Sequence, residues 1–171
     1  IYWVRMPLPF DLDHINLWLL RDGDDWTIID CGYGSDQTRA AWEQVFAERL
    51  GDRTVKRVVV THFHPDHIGL ASWLTQRFGA EFFISLGDFL SAHAVRSELP
   101  GYDRPAFAEL YHRHGVNNVH IPKLSARNEL YHHGVPSLPA RFRRLQDGHT
   151  LTINGHDWRI IMGYGHAPEH A

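Results

Sequence analysis

The densest chemistry in the chain lies in Thr61-His62-Phe63-His64-Pro65-Asp66-His67-Ile68-Gly69, where three imidazoles and a carboxylate fall within six residues. From the chain's own composition, a His-x-His-x-Asp-His string is expected by chance roughly 0.007 times. His62 and His64 are two apart, so in an extended segment both side chains point the same way. Asp66 and His67 fall on the turn that follows, where the chain changes direction. One short loop can therefore offer two imidazoles to one metal ion and a carboxylate–imidazole pair to a second. Histidine and carboxylate without thiolate suit Zn, Fe, Mn or Ni, with Zn the default. Such an ion brings the pKa of a bound water toward ~7 and so supplies hydroxide at neutral pH. A closed structural zinc site is the competing reading; those sites lean on cysteine, and the chain has a single Cys.

The elements that must hold this string follow from periodicity. Tyr2-Trp3-Val4, Asn16–Leu20 and Trp26–Ile29 read as strands, and Asp22-Gly23-Asp24-Asp25 makes residues 15–29 a β-hairpin. Ser35 or Asp36 caps a helix carrying Ala41, Trp42, Val45, Phe46 and Leu50, with Gly51 at its end. Lys56–Thr61 is a β-branched run of the kind buried in parallel sheets. A single helix is expected next, with Ile68, Ala71, Leu74 and Phe78 on one face, followed by a strand at Glu81–Ile84. Residues 26–84 thus run β-α-β-α-β, an α/β layer with parallel pairing. The metal string lies beyond the carboxyl end of a strand, where ligands of open α/β sheets gather.

Residues 86–140 read as a mostly helical insertion. Pro105 opens a helix with Phe107, Leu110, Tyr111 and His114 on one face. Leu86–Ser97 and Leu124–His132 are further helix candidates. Strands return at Phe142–Leu145, Thr150–Ile153 and Trp158–Met162, with Asn154-Gly155 as a hairpin turn.

Length and composition narrow the rest. At 171 residues the chain makes one domain, and no apolar run approaches the ~20 residues of a membrane span. Its net charge of −3 argues against a nucleic-acid partner and leaves a small-molecule substrate. The single cysteine excludes a disulfide framework. The first residue is Ile1 and no signal peptide is visible, so the expected location is cytoplasmic.

His62-x-His64-x-Asp66-His67 after an apolar strand resembles the metal-binding signature of the metallo-β-lactamase superfamily. Ile28-Ile29-Asp30-Cys31-Gly32 resembles that family's upstream Asp-x-Gly motif, and Gly165-His166-Ala167-Pro168-Glu169-His170 its downstream Gly-His motif. The resemblance implies an αββα sandwich, of which residues 1–171 are the N-terminal part with the helical insertion 86–140 inside it. It implies that His62, His64 and His166 hold one metal and that Asp66 and His67 contribute to a second, two zinc ions per complete domain with Fe or Mn as alternatives. Asp30 would fix the motif loop by hydrogen bonds. Asp66 is the expected catalytic residue, beside a hydroxide that attacks an acyl carbon. The family's bridging Asp and last His lie downstream of the Gly-His motif, so this chain is expected to be incomplete at its C-terminus. Cys31 stands where Thr or Ser is common, and Gly163-Tyr164-Gly165 where Thr-Pro-Gly is common.

The expected function is a metallohydrolase of a thioester, lactone, ester or β-lactam. The glyoxalase II-like branch is the nearest in its long mid-chain helical segment. Alternatives are a nuclease or a non-haem iron dioxygenase on the same fold, and an inactive fragment. The remaining candidates have plainer readings. Cys31 is expected to be a small buried residue, His170 a loop residue beside the site, and His132-His133 a solvated helix end. At least one of His112 and His114 faces water, and His14 is a turn residue. Arg141, Arg143 and Arg144 form a solvated strand face, and Phe89, Tyr102, Phe107 and Tyr111 are core.

Overall fold

The computed structural model describes residues 1–9 and 11–171, with all their side chains except those of 125–130. A six-stranded mixed sheet runs in the order β1 (Tyr2–Pro7), β2 (His14–Asp22), β3 (Asp25–Ile29), β4 (Val55–Val59), β5 (Glu81–Ser85), β6 (Arg143–Leu145). The first three strands are antiparallel and β3 to β6 are parallel. A separate hairpin joins β7 (Thr150–Ile153) to β8 (His156–Arg159).

Alternation along the strands gives the sheet two unlike faces. Val4, Met6, Leu17, Leu19, Ile28, Val58, Phe82 and Ile84 belong to one buried core cluster. Helices α1 (Asp36–Arg49) and α3 (Ala71–Phe78) contribute to it Trp42, Phe46, Ala71 and Leu74. Ser35 caps α1, its hydroxyl accepting from Thr38 N. Inside α1, the indole of Trp42 donates to the carbonyl of Cys31 at 2.8 Å, tying the helix to the loop after β3.

On the other face Asp22 is a buried staple. Its carboxylate accepts from Thr27 Oγ1 at 2.6 Å, from Asn154 N at 3.0 Å and from Arg57, and pairs with Lys56 at 3.0 Å. Arg57 also donates to the carbonyl of Thr152 at 2.8 Å. The β7–β8 hairpin is thereby pinned to the turn between β2 and β3. Burial alone would raise the Asp22 carboxyl, but the hydrogen bonds from Thr27, Asn154 and Lys56 and the charge of Arg57 bring it below its ordinary value.

The expected single helix after the metal string is two pieces, α2 (Pro65–Ile68) and α3, separated at Gly69-Leu70. Leu70 leaves helical geometry, with φ −99° and ψ 13°. Gly69 is packed against the carbonyls of Gly32, Pro65 and Gly134, which leave no room for a Cβ. Hydrophobic spacing runs unbroken through both pieces, so periodicity alone could not show the break.

Residues 86–140 carry α4 (Leu86–Arg96), α5 (Arg104–Arg113) and α6 (Ile121–Gly134). The last begins and ends beyond the expected Leu124–His132. The last strand is displaced from the expected Trp158–Met162 to His156–Arg159. Asn154 and Gly155 both take positive φ, 52° and 74°, so pairing resumes directly after the turn at His156. Among the described residues no helix is long and apolar enough to cross a membrane.

Candidate metal centre

Three parallel strands deliver the site from their carboxyl ends: β3 leads into Asp30, β4 into Thr61 and His62, and β5 into Ser85 and Asp88. His166 arrives from the loop after β8. That loop is closed by Gly163 and His170, whose backbones exchange hydrogen bonds of 2.7 and 3.0 Å. Ala171 N ties it to the carbonyl of Thr61 at 3.0 Å.

The imidazoles of His62, His64 and His166 converge. His62 Nε2 lies 3.1 Å from His64 Nδ1, His64 Nδ1 lies 3.1 Å from His166 Nε2, and His166 Nε2 lies 3.2 Å from His62 Nε2. They are the one group of three His, Cys, Asp or Glu residues among the described residues that is placed to hold a metal ion.

The chain around them fixes which nitrogen is free. The Thr61 hydroxyl donates to Asp30, 2.9 Å from Oδ2, and so accepts from His62 Nδ1–H at 3.0 Å. That leaves His62 Nε2 as a bare lone pair in the triangle. Asp30 Oδ2 accepts from His67 Nδ1 at 2.8 Å, and His67 Nε2 lies 3.4 Å from Asp66 Oδ2. Asp30 also accepts from Thr61 N at 2.8 Å. Its backbone is left-handed at φ 61°, a conformation that Asp tolerates better than most residues. Asp66 and His67 thus form a separate pair beside the three-histidine triangle.

Electrostatics keep His62 and His64 neutral. Burial, and then the His67, His64, His170 and His166 rings, push the His62 imidazole down to about 2. His64 is lowered by burial and by His166. Burial would also lower His67, but the hydrogen bond and charge of Asp30, with Asp66, raise it.

The donor set fits a metal ion. Three imidazole nitrogens aimed at one point cannot satisfy one another, because a shared proton serves one pair and leaves the third lone pair facing the others. A tetrahedral ion bound at about 2.0–2.1 Å spaces its nitrogens about 3.3–3.4 Å apart, close to the edges of this triangle. The donors are nitrogen and oxygen. Cys31 is fully buried, and burial followed by the charge of Asp30 pushes its thiol well up, consistent with a packed residue.

His170 lies against the site without entering the triangle, its ring stacked on His62 at 4.3 Å. Of the peripheral histidines, His132 approaches Glu98 at 3.4 Å and His112 lies 3.1 Å from Asn118 Oδ1. His14 meets Arg5 and Asp13, at 3.3 and 3.5 Å. Arg143 pairs with Glu81 at 2.7 Å, and Phe89 stacks on Phe142.

Two supports went unnoticed in the sequence. Asp88 is fully buried and accepts from Phe63 N at 3.0 Å, inside the metal string. Ser85-Leu86-Gly87-Asp88 carries the signal that could have found it, a helix-capping pattern. Tyr131, from α6, donates to the carbonyl of Phe63 at 2.8 Å.

Residues 10–171 match the model of the metallo-beta-lactamase superfamily. A beta-lactamase domain protein from Burkholderia ambifaria is 41% identical, with TM-score 0.79, over 98% of this chain and 48% of its own. The metallo-beta-lactamase family protein TTHA1429 from Thermus thermophilus is 28% identical, with TM-score 0.77, over 99% of this chain and 53% of its own. The "Probable metallo-hydrolase YqjP" of Bacillus subtilis (strain 168) is 37% identical over 68 residues, 39% of this chain and 21% of that protein. The chain spans about half the length of the two solved relatives. A match over nearly its whole length, on a sheet that gathers these histidines at its strand ends, shows that this chain belongs to the metallo-β-lactamase superfamily.

Proposed function

We propose that this chain is the metal-binding part of a hydrolase that cleaves a small acyl substrate: a thioester, lactone, ester or β-lactam. The observation that carries the reading is the triangle of converging imidazole nitrogens beside the Asp66–His67 pair. His62, His64 and His166 hold one divalent ion, with zinc the first choice for this donor set. Asp66 and His67 contribute to a second. The bound metal supplies Lewis acidity toward the acyl oxygen and hydroxide at neutral pH.

The chain's own residues do the rest. Asp30 and Thr61 fix the His62 and His67 rings and leave His62 Nε2 free to face the metal. Asp66, partly exposed at the mouth of the site, is the base that takes the proton of the attacking water at a carboxylate oxygen. The net charge of −3 disfavours polyanionic substrates.

The test is turnover by the zinc-loaded protein of thioester, lactone, β-lactam and phosphodiester substrates, beside His64→Ala. Metal-dependent hydrolysis of an acyl substrate, reduced at least ~100-fold in the variant, is expected. Cleavage confined to the phosphodiester would contradict the acyl assignment.

A further inference from the structure

The three histidines come from two loops far apart in sequence, and one buried carboxylate grips both. Asp88 Oδ1 accepts from Phe63 N at 3.0 Å, between His62 and His64. Asp88 Oδ2 accepts from Glu169 N at 3.1 Å, three residues after His166. The same oxygen accepts from Ser85 Oγ at 2.8 Å, and Ser85 Oγ in turn accepts from Asp88 N at 3.1 Å. A second link runs parallel to it: Glu169 Oε2 accepts from Gly87 N at 2.8 Å, in the first turn of α4. The fit at Gly87 is close: a Cβ there would meet the Glu169 side chain at 3.1–3.2 Å.

Asp88 is 0% exposed and has no ion-pair partner among the described residues. A carboxylate is retained in such a place only where donors satisfy it. Here two of those donors are backbone groups of the two ligand loops.

We infer that Asp88, assisted by Glu169, is a positioning residue that sets the third metal ligand by holding the His62–His64 loop and the His166 loop in one register. The inference rests on the proposed metal centre. Among the described residues, the closure of the 163–170 loop and the bond from Ala171 to Thr61 also hold His166 near the motif. Both ligand loops need an acceptor oxygen. Asn has one acceptor oxygen, and its amide would oppose one of the two backbone N–H groups.

The test compares the affinity of the metal-free protein for zinc, by chelator competition, with the visible spectrum of its cobalt form. Asp88→Asn is expected to bind zinc roughly 10- to 100-fold more weakly and to shift the cobalt bands, with its circular dichroism unchanged. Asp22→Ala, a remote staple of the β7–β8 hairpin, serves as the stability control. It is expected to lower the melting temperature yet keep zinc affinity within about threefold. Glu169→Gln, which keeps an acceptor for Gly87 N, is expected to bind more tightly than Glu169→Ala. If Asp88→Asn does not fold, the Glu169 pair carries the test, and equal affinity of Glu169→Ala and wild type overturns the clamp. A folded Asp88→Asn with wild-type affinity and spectrum overturns it too. A wild-type protein that binds neither zinc nor cobalt overturns the metal centre itself, and the clamp with it.

Discussion

Asp30 carries more of the site than its distance from the triangle suggests. Through Thr61 it sets the tautomer of His62, and directly it sets that of His67. Asp30→Ala frees both rings to turn, and metal affinity should fall roughly 10- to 100-fold, measured by chelator competition; an unchanged affinity would show that the rings are held by packing alone. The triangle also has a signature without metal. His62 and His64 titrate below their ordinary value, so their stabilising contribution is complete above about pH 6.5 and is lost as pH falls. His67 is raised, and its contribution is complete below pH 6.5 and lost as pH rises through its folded value. With His62 held down to about 2, urea unfolding of the metal-free protein should show lower stability at pH 5 than at pH 7. Stability that rises toward pH 5 would contradict the packing of these rings. The histidines and Asp30 stood out in the sequence because residue type and spacing are local. Asp88 did not, because its partners Phe63 and Glu169 are 25 and 81 residues away.

Two short helices and the end of a third meet over the motif loop. Gly69, between α2 and α3, is packed on the carbonyls of Gly32, Pro65 and Gly134, the last residue of α6. Gly34 N donates to that same Gly134 carbonyl at 2.8 Å. This close crossing brings α6 near enough for Tyr131 to reach Phe63. Gly69→Ala forces the backbones apart and should cost about 1–3 kcal/mol in chemical denaturation; a neutral substitution would mean that the crossing is loose. The β-α-β-α-β order and its parallel pairing were legible because β-branched runs and helical spacing alternate cleanly through residues 26–84. The break at Gly69 was not, because it answers to carbonyls brought in from Gly32 and Gly134. Nor was the seat of β6 beside β5, since Phe142–Leu145 read as a strand without a partner.

At the scale of the molecule, a sheet with parallel strands at its centre collects Asp30, the metal string and Asp88 at one end, and the loop after β8 brings His166 to them. The described residues therefore bring three imidazoles to one point, with Asp66 and His67 beside them. The motif loop could be read from one dense string of residues, and the family from that string with the Asp30 and His166 motifs. The substrate could not, because specificity in a shared fold lives in the loops around the site. The most direct test is titration of the metal-free protein with cobalt, followed by its visible absorption, for wild type and for His62→Ala, His64→Ala and His166→Ala. The account predicts saturable binding with the intense bands of a low-coordinate histidine site in wild type, and loss of those bands in each single variant. Absence of uptake by wild type, or an unchanged spectrum in His166→Ala, would contradict the claim that these three side chains form one metal site.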